Sequence, residues 1–220
     1  MSALYGSDGM GGTINIITKA PENDWSSTLN MDTSSPLDGD GGEEYSMGFT
    51  TSGALIEDEL FARVSVNQTS RNAWQPYSGT HSSGYDRSDV TALEERDTLS
   101  LLASLTWNAT DNQTIDFDFG YSDDERDGLA EYATGANPVD SKVVRNSQAI
   151  THSGFWSWGD TQVRYSRENV TDNDAADSDT SYSSDVEELT QIVEASATTY
   201  LGESHTVTFG MDYQLSELTN

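Results

Sequence analysis

The chain has 220 residues, of which 38 are acidic and 10 are basic, so its formal net charge is −28 at pH 7. This excess of negative charge argues against a phosphate backbone as partner, and nucleic-acid binding is therefore excluded as a leading function. Apolar residues make up 34% of the chain, no apolar run approaches the ~20 residues of a membrane-spanning helix, and the absence of cysteine excludes disulfides and thiolate chemistry.

A glycine-rich segment opens the chain, with the sequence LYGSDGMGGTINIITK over residues 4–19. A dinucleotide-binding loop needs a strand before the glycines and a helix after them, and a P-loop needs a Lys-Ser or Lys-Thr pair. The residues that follow the glycines here, Thr13 to Thr18, are rich in β-branched side chains and predict a strand. The glycines are therefore interpreted as backbone that turns sharply, and not as a phosphate cradle.

From residue 25 onward, the chain is a series of segments in which apolar and polar residues alternate. The clearest segment is IDFDFGY, residues 115–121, where every second residue is apolar. Such a period of two indicates strands with two different faces, and helical spacing fits these segments poorly. The sequence therefore predicts an all-β protein with nine strands, at residues 25–34, 43–52, 59–71, 97–109, 113–123, 143–157, 161–171, 187–201 and 205–217.

The connections between these predicted strands alternate between short and long. The long connections are polar and cover residues 72–96, 124–142 and 172–186. Short turns at one end and long loops at the other are typical of an outer-membrane barrel, and aromatic residues near predicted strand ends suit an interfacial girdle. A soluble β-sandwich gives the same alternation within its strands, so it stays open as an alternative.

The opening segment LYGSDGMGGTINIITK closely resembles the end of the plug domain of TonB-dependent outer-membrane receptors. The strands that follow are similar to those of the colicin I receptor and related catecholate siderophore receptors. The resemblance implies a partial, antiparallel transmembrane β-barrel of about nine strands, preceded by the C-terminal end of a plug domain. Residues 1–20 would be the plug segment, and residues 21–220 the N-terminal portion of the barrel with long extracellular loops. Gly6, Gly11, Gly12 and Asn15 match the structural plug motif.

The resemblance also implies a function. Such receptors are not enzymes; they import a ferric siderophore by an energy-coupled rearrangement of the plug. The resemblance favours a siderophore of catecholate type. The partners implied are TonB, through a segment upstream of this chain, and the lipid and lipopolysaccharide of the outer membrane of a Gram-negative bacterium. The family also serves as a port for colicins or phages. No catalytic motif argues otherwise, since the three histidines lie far apart and neither HExxH nor GxSxG occurs.

A ferric catecholate is anionic and aromatic, so its site should offer basic and aromatic side chains. Candidates by residue type and position in the long connections are Arg71, Trp74, Tyr77, His81, Tyr85, Arg87, Arg126 and Tyr132. For each of them, an ordinary surface residue is the simpler interpretation.

The long connections contain more acidic than basic residues, and this excess of negative charge would repel an anionic ligand. In composition the aspartates of the last long connection, Asp172, Asp174, Asp177 and Asp179, resemble a calcium loop, but they lack the glycine and the spaced glutamate of an EF-hand. A solvated acidic loop is the simpler interpretation. Calcium sites in such loops would instead favour a cobalamin receptor of the same superfamily, which is the alternative function. A soluble β-sandwich that serves in binding or adhesion is the more remote one.

Overall fold

A computed structural model describes residues 22–75, 93–132, 135–175, 184–202 and 205–220. The chain forms eleven strands there: β1 (Ser26–Ser34), β2 (Asp40–Gly41), β3 (Glu44–Ile56), β4 (Leu60–Arg71), β5 (Trp74–Gln75), β6 (Glu95–Thr110), β7 (Gln113–Tyr132), β8 (Gly135–Trp156), β9 (Gly159–Ala175), β10 (Ser184–Leu201) and β11 (His205–Thr219). Within these ranges no helix is long and apolar enough to cross a membrane. The predicted all-β class is confirmed.

Nine of the strands form one antiparallel sheet in the order β1-β3-β4-β6-β7-β8-β9-β10-β11. Each strand pairs with the strands that precede and follow it in this series, so the sheet is a simple meander. The nine predicted strands correspond one to one with these nine. A separate pair, β2 with β5, links two of the long connections and has no counterpart in the sequence prediction.

The two ends of the sheet differ in their connections. At one end, which we call the turn end, tight turns join β3 to β4, β6 to β7 and β8 to β9, and three residues join β10 to β11. The opposite end, the loop end, carries the longer connections after β1, β4 and β9. The predicted loop 172–186 is shorter than expected, because β9 continues to Ala175 and β10 begins at Ser184. The predicted alternation of short and long connections is otherwise confirmed for all but one of the long ones.

The exception is the segment 124–142, which was expected to be a polar loop. It is instead a hairpin, in which β7 and β8 continue their pairing through Gly128 opposite Val139 to Tyr132 opposite Gly135. Arg126 and Tyr132 therefore lie on a strand and not in a loop. The extension lacks the period-two pattern of apolar residues, and that is why hydrophobic alternation did not reveal it. Backbone pairing between the two strands still satisfies its N–H and C=O groups.

One face of the sheet, the apolar face, carries a continuous surface of large hydrophobic side chains. In one row of directly paired residues, Leu105, Phe117, Ile150, Tyr165 and Val193 point to this face from five successive strands. All five residues are 40–45% exposed. A water-soluble protein rarely exposes so extended an apolar surface, whereas the lipid-facing side of a membrane barrel requires one.

The other face, the polar face, is rich in hydroxyl groups and charges. Neighbouring strands are linked across it by hydroxyl pairs such as Ser46 with Thr69, at 3.0 Å, and Thr50 with Ser65, at 2.8 Å. A groove of about 710 Å³ opens on this face. It is lined by charged side chains that include Arg63, Asp118 and Arg164, along with serines and threonines. Because successive side chains of a strand point to opposite faces, the alternation of apolar and polar residues gives the sheet one face compatible with lipid and one compatible with water.

Candidate anion-binding site

Three arginines lie side by side on the polar face at the loop end. Arg71, the last residue of β4, is paired directly with Arg96 on β6, and Arg96 is paired directly with Arg126 on β7. Directly paired residues of neighbouring antiparallel strands lie about 5 Å apart at their Cα atoms. The sheet register therefore concentrates three positive charges in one row, which we call the arginine row. It lies nearer the loop end than the row of Leu101 and Tyr121, which belongs to the apolar face.

Asp124 lies next to the arginine row on the same face and binds two of its members. Its Oδ1 atom accepts hydrogen bonds from the Nε atoms of Arg96, at 3.0 Å, and Arg126, at 3.1 Å. Its Oδ2 atom accepts bonds from the Nη2 atoms of the same residues, at 2.6 and 3.0 Å. Two guanidinium groups thus each make a bidentate contact with one carboxylate, the strongest geometry for this type of pair.

This pairing changes the acidity of Asp124. Hydrogen bonds from Arg126 are the main cause that lowers the pKa of Asp124 to about 2; partial burial opposes the change, and Arg96 adds to it. The side chain of Asp124 is 18% exposed, against 37% for Arg96 and 45% for Arg126. The carboxylate is therefore the most covered member of the cluster, and the two guanidinium groups are more open to solvent.

Arg71 is held by different partners. Its Nε and Nη2 atoms donate to the carbonyl oxygen of Glu94, at 3.3 and 3.1 Å. Its Nη1 atom lies 3.9 Å from the Glu44 carboxylate. Because like charges directly opposite each other destabilise a sheet, the carboxylates of Glu44 and Asp124 offset much of the repulsion within the arginine row. Three guanidinium groups thus lie among three carboxylates, because that of Glu94 also acts on Arg126.

At the same height, the opposite side of the sheet carries a different arrangement of charge. There Lys142 on β8 lies 3.5 Å from both Asp123 and Glu125 on β7. Further along β7, partial burial and then the neighbouring Asp140 raise the pKa of Asp127. Carboxylates thus outnumber cations on this side. At this height, the guanidinium groups of the arginine row therefore lie on one side of the sheet, and an excess of carboxylates lies on the other.

Trp74 was predicted to stack on a ligand, but the structure places it in a local packing role. Its indole Nε1 donates to the carbonyl oxygen of Asp38 at 2.9 Å, and its ring lies against Gly39 and Gly42. The backbone of Trp74 pairs with Gly41 and with Leu93. This residue joins the connection after β1 to the connection after β4.

The remaining predicted residues are distributed as follows. Tyr77, His81, Tyr85 and Arg87, the plug residues Gly6, Gly11, Gly12 and Asn15, and the acidic residues Asp177 and Asp179 lie outside the described residues. Tyr132 and Asp174 belong to β7 and β9, and Asp172 is part of β9 with its Oδ1 atom buried. In the described ranges, no group of three or more His, Asp or Glu side chains is arranged to hold a metal ion. The calcium hypothesis for the four aspartates therefore remains a prediction.

The structure adds two residues that the sequence did not single out, Arg96 and Asp124. Both fall at a predicted strand boundary, where residue type alone gives no reason to prefer them. Together the four charged side chains form a partly exposed candidate anion site, in which each residue belongs to a strand and not to a loop. Such a site can bind a multiply charged anion by charge-assisted hydrogen bonds.

The chain is similar in sequence to receptors of known type. It is 32% identical over 176 residues to the probable TonB-dependent siderophore receptor PirA of Acinetobacter baumannii, a match that covers 74% of this chain and 22% of that receptor. It is 30% identical over 174 residues to the ferric enterobactin receptor PirA of Pseudomonas aeruginosa, covering 72% of this chain and 23% of that receptor. No family model matches the chain. The chain spans about a quarter of the length of these curated relatives.

Solved structures show the same architecture. The crystal structure of the siderophore receptor PirA from Acinetobacter baumannii matches with a TM-score of 0.82 at 23% identity, over 98% of this chain and 33% of that one. A mutant of the ferric enterobactin receptor PfeA from Pseudomonas aeruginosa matches with a TM-score of 0.81 at 18% identity, over 98% of this chain and 34% of that one. The likeness confirms the predicted fold class, in which the nine-stranded sheet is part of a membrane barrel.

Proposed function

Because this chain belongs to the TonB-dependent siderophore receptors, we propose that the complete receptor imports a ferric siderophore of catecholate type across the outer membrane. In this proposal residues 1–20 are the end of the plug domain, and residues 21–220 are the first nine strands of the barrel. The apolar face contacts lipid, and the polar face lines the interior. TonB supplies the energy through a part of the receptor outside this chain, and the protein acts as a transporter without enzymatic activity.

The arginine row is the observation that carries the choice of ligand. A ferric catecholate complex is a multiply charged anion with aromatic edges, and arginine is the side chain best suited to bind such a group. The overall charge of the chain is strongly negative, so a local row of three arginines on the polar face is the feature that can attract an anion. Two of the relatives are themselves named as ferric enterobactin receptors, which supports the same class of ligand.

Uptake by cells tests the import function. The complete receptor should be expressed in a strain that lacks its own catecholate receptors, and uptake of iron-labelled ferric enterobactin should be followed with and without TonB. We expect uptake that depends on TonB. Uptake of cobalamin in place of the iron complex, especially if calcium enhances it, would contradict the proposal and favour the cobalamin alternative.

Substitutions in the arginine row test the site itself. Arg96→Gln and Arg126→Gln should each weaken binding of ferric enterobactin by about tenfold, because each removes a charge-assisted interaction of roughly 1.5 kcal/mol. Lys142→Gln is the matched control, since it removes the same charge at the same height on the opposite side of the sheet. Affinity should be measured on the purified receptor by quenching of its tryptophan fluorescence. Equal losses in all three variants would assign the effect to overall charge and not to the arginine row.

A further inference from the structure

We propose that Asp124 determines the charge selectivity of the arginine row: its carboxylate is a built-in counter-ion that excludes small anions, so that only multiply charged ligands bind. This inference rests on the function proposed above. Asp124 is distinguished from the other carboxylates of this region by its contacts, since it is the one that binds two arginines on two different strands.

Asp124 competes with anionic ligands for the N–H donors of Arg96 and Arg126. The Asp124 carboxylate occupies the edge formed by Nε and Nη2 on both Arg96 and Arg126, which is the edge that a carboxylate or phosphate ligand prefers. Because it is attached to the same strand as Arg126, its effective concentration at these donors is far above that of an anion in solution. A small anion with a single charge therefore cannot replace it.

A larger anion can use the N–H donors of Arg96 and Arg126 that Asp124 leaves open. The Asp124 pairs use two of the five N–H donors of each guanidinium group. The Arg96 and Arg126 side chains are also more exposed than the carboxylate between them. A ligand with several negative charges can therefore approach the open side of both groups and attract Arg71 at the same time. Its larger Coulomb energy overcomes the one negative charge that Asp124 contributes.

Asp124 also suits this role because it stays charged. Its contacts with the two arginines keep it ionised throughout the neutral range, so it acts as a constant negative charge in the site. A neutral side chain of the same shape would leave the arginines in place and remove that charge. Substitution of Asp124 by asparagine therefore removes the negative charge and keeps the shape of the side chain.

The test uses the complete receptor with the variants Asp124→Asn and, as matched control, Asp123→Asn, whose side chain lies on the opposite side of the sheet beside Lys142. In Asp124→Asn we expect the affinity for ferric enterobactin to rise about three- to tenfold, because a repulsive charge has been removed. Asp123→Asn should leave the affinity unchanged. Weaker binding by Asp124→Asn, or no change, would overturn the proposal, because Asp124 would then serve to position the arginines or have no role.

A second measurement does not depend on the siderophore. Acetate, a small anion with a single charge, should raise the midpoint of thermal unfolding of Asp124→Asn, but not that of the unmodified receptor or of Asp123→Asn. Equal shifts in all three proteins would overturn the exclusion of small anions. If the unmodified receptor fails to bind ferric enterobactin while acetate stabilises only Asp124→Asn, the counter-ion role stands and the proposed import function is wrong.

Discussion

The contacts of Asp124 show how single residues set the properties of the loop end. Two arginines on different strands bind the same carboxylate, and its pKa falls to about 2. A carboxyl group whose pKa is lower in the folded state than in the unfolded state stabilises the fold wherever it is ionised. The pairing therefore links β6 to β7 near the loop end.

This linkage predicts a dependence of stability on pH. Above about pH 5, the contribution of Asp124 is fully present, and it is lost as the pH falls from about 4, the ordinary pKa of aspartate, through about 2, its pKa in the fold. The midpoint of thermal unfolding of the complete receptor should exceed that of Asp124→Asn by a constant amount between about pH 5 and 8, and the difference should shrink toward pH 2. A difference that stays the same down to pH 2 would contradict the assignment.

At the scale of the strand, the faces of the sheet could be predicted from sequence to a large extent. The alternation IDFDFGY located β7 and its two faces, because burial against lipid repeats at every second residue. The outer half of the β7–β8 hairpin could not be found in this way, since residues 124–132 lack that apolar repeat. Here the strand is maintained by backbone pairing, which leaves no signature in side-chain polarity.

The arginine row illustrates a second limit. Counting back along β6 and β7 from the turn, where Thr110 pairs with Gln113, would place Arg96 opposite Asp127. A β-bulge between Asn108 and Thr110 shifts the register by one residue, so that Arg96 lies opposite Arg126. Bulges of this kind depend on local twist, and the sequence alone does not reveal them. The side-by-side placement of Arg71, Arg96 and Arg126 therefore could not be predicted from the sequence.

The apolar face predicts how strands respond to charge. Phe117→Arg places a cation at the middle of the apolar band and should cost about 2–4 kcal/mol of barrel stability. Glu125→Arg is the matched control, because it lies on the same side of β7 beyond the apolar band and should cost about 0–1 kcal/mol. Unfolding of the complete receptor in urea and lipid vesicles measures both values. Equal costs at the two positions would show that Phe117 does not face lipid.

Two glycines in the turns should respond differently to substitution by alanine. Gly159 has a positive φ of 148°, and a Cβ atom there would collide with the backbone carbonyl of Thr198 on β10. Gly202 has a φ of 65°, with nothing within 4 Å of the corresponding position. Gly159→Ala should therefore lower the yield of assembled receptor and its midpoint of thermal unfolding, while Gly202→Ala should cost about 1 kcal/mol. Comparable losses in the two variants would argue against steric conflict at Gly159.

At the scale of the molecule, the sheet has two open edges. Within the described ranges, β1 pairs only with β3, and β11 pairs only with β10. Unpaired backbone groups cannot be left in lipid, since each costs several kcal/mol there, and this is why barrels close. The edges of this sheet therefore require further strands, which agrees with the chain's coverage of about a third of the solved receptors.

These edges predict the behaviour of the 220-residue chain when it is produced alone. In detergent it should aggregate and show no change of mobility between heated and unheated samples in SDS electrophoresis, because no closed barrel forms. The complete receptor should show that change. A heat-dependent shift for the chain alone would mean that the open edges find partners, as in a barrel assembled from several copies, and its mass measured by light scattering would identify such an assembly.

The arginine row lies on paired strands, and this placement affects the entropy of ligand binding. Residues that must become ordered when a ligand arrives lose conformational freedom, at a cost of about 1–2 kcal/mol for each residue of backbone. The arginines on β4, β6 and β7 are already fixed by the ladder before any ligand is present. Capture by these residues therefore proceeds without an ordering step. The association rate constant should therefore be set by diffusional encounter and electrostatic attraction, and it should fall as salt is added. It should not be limited by the slow closure of a loop.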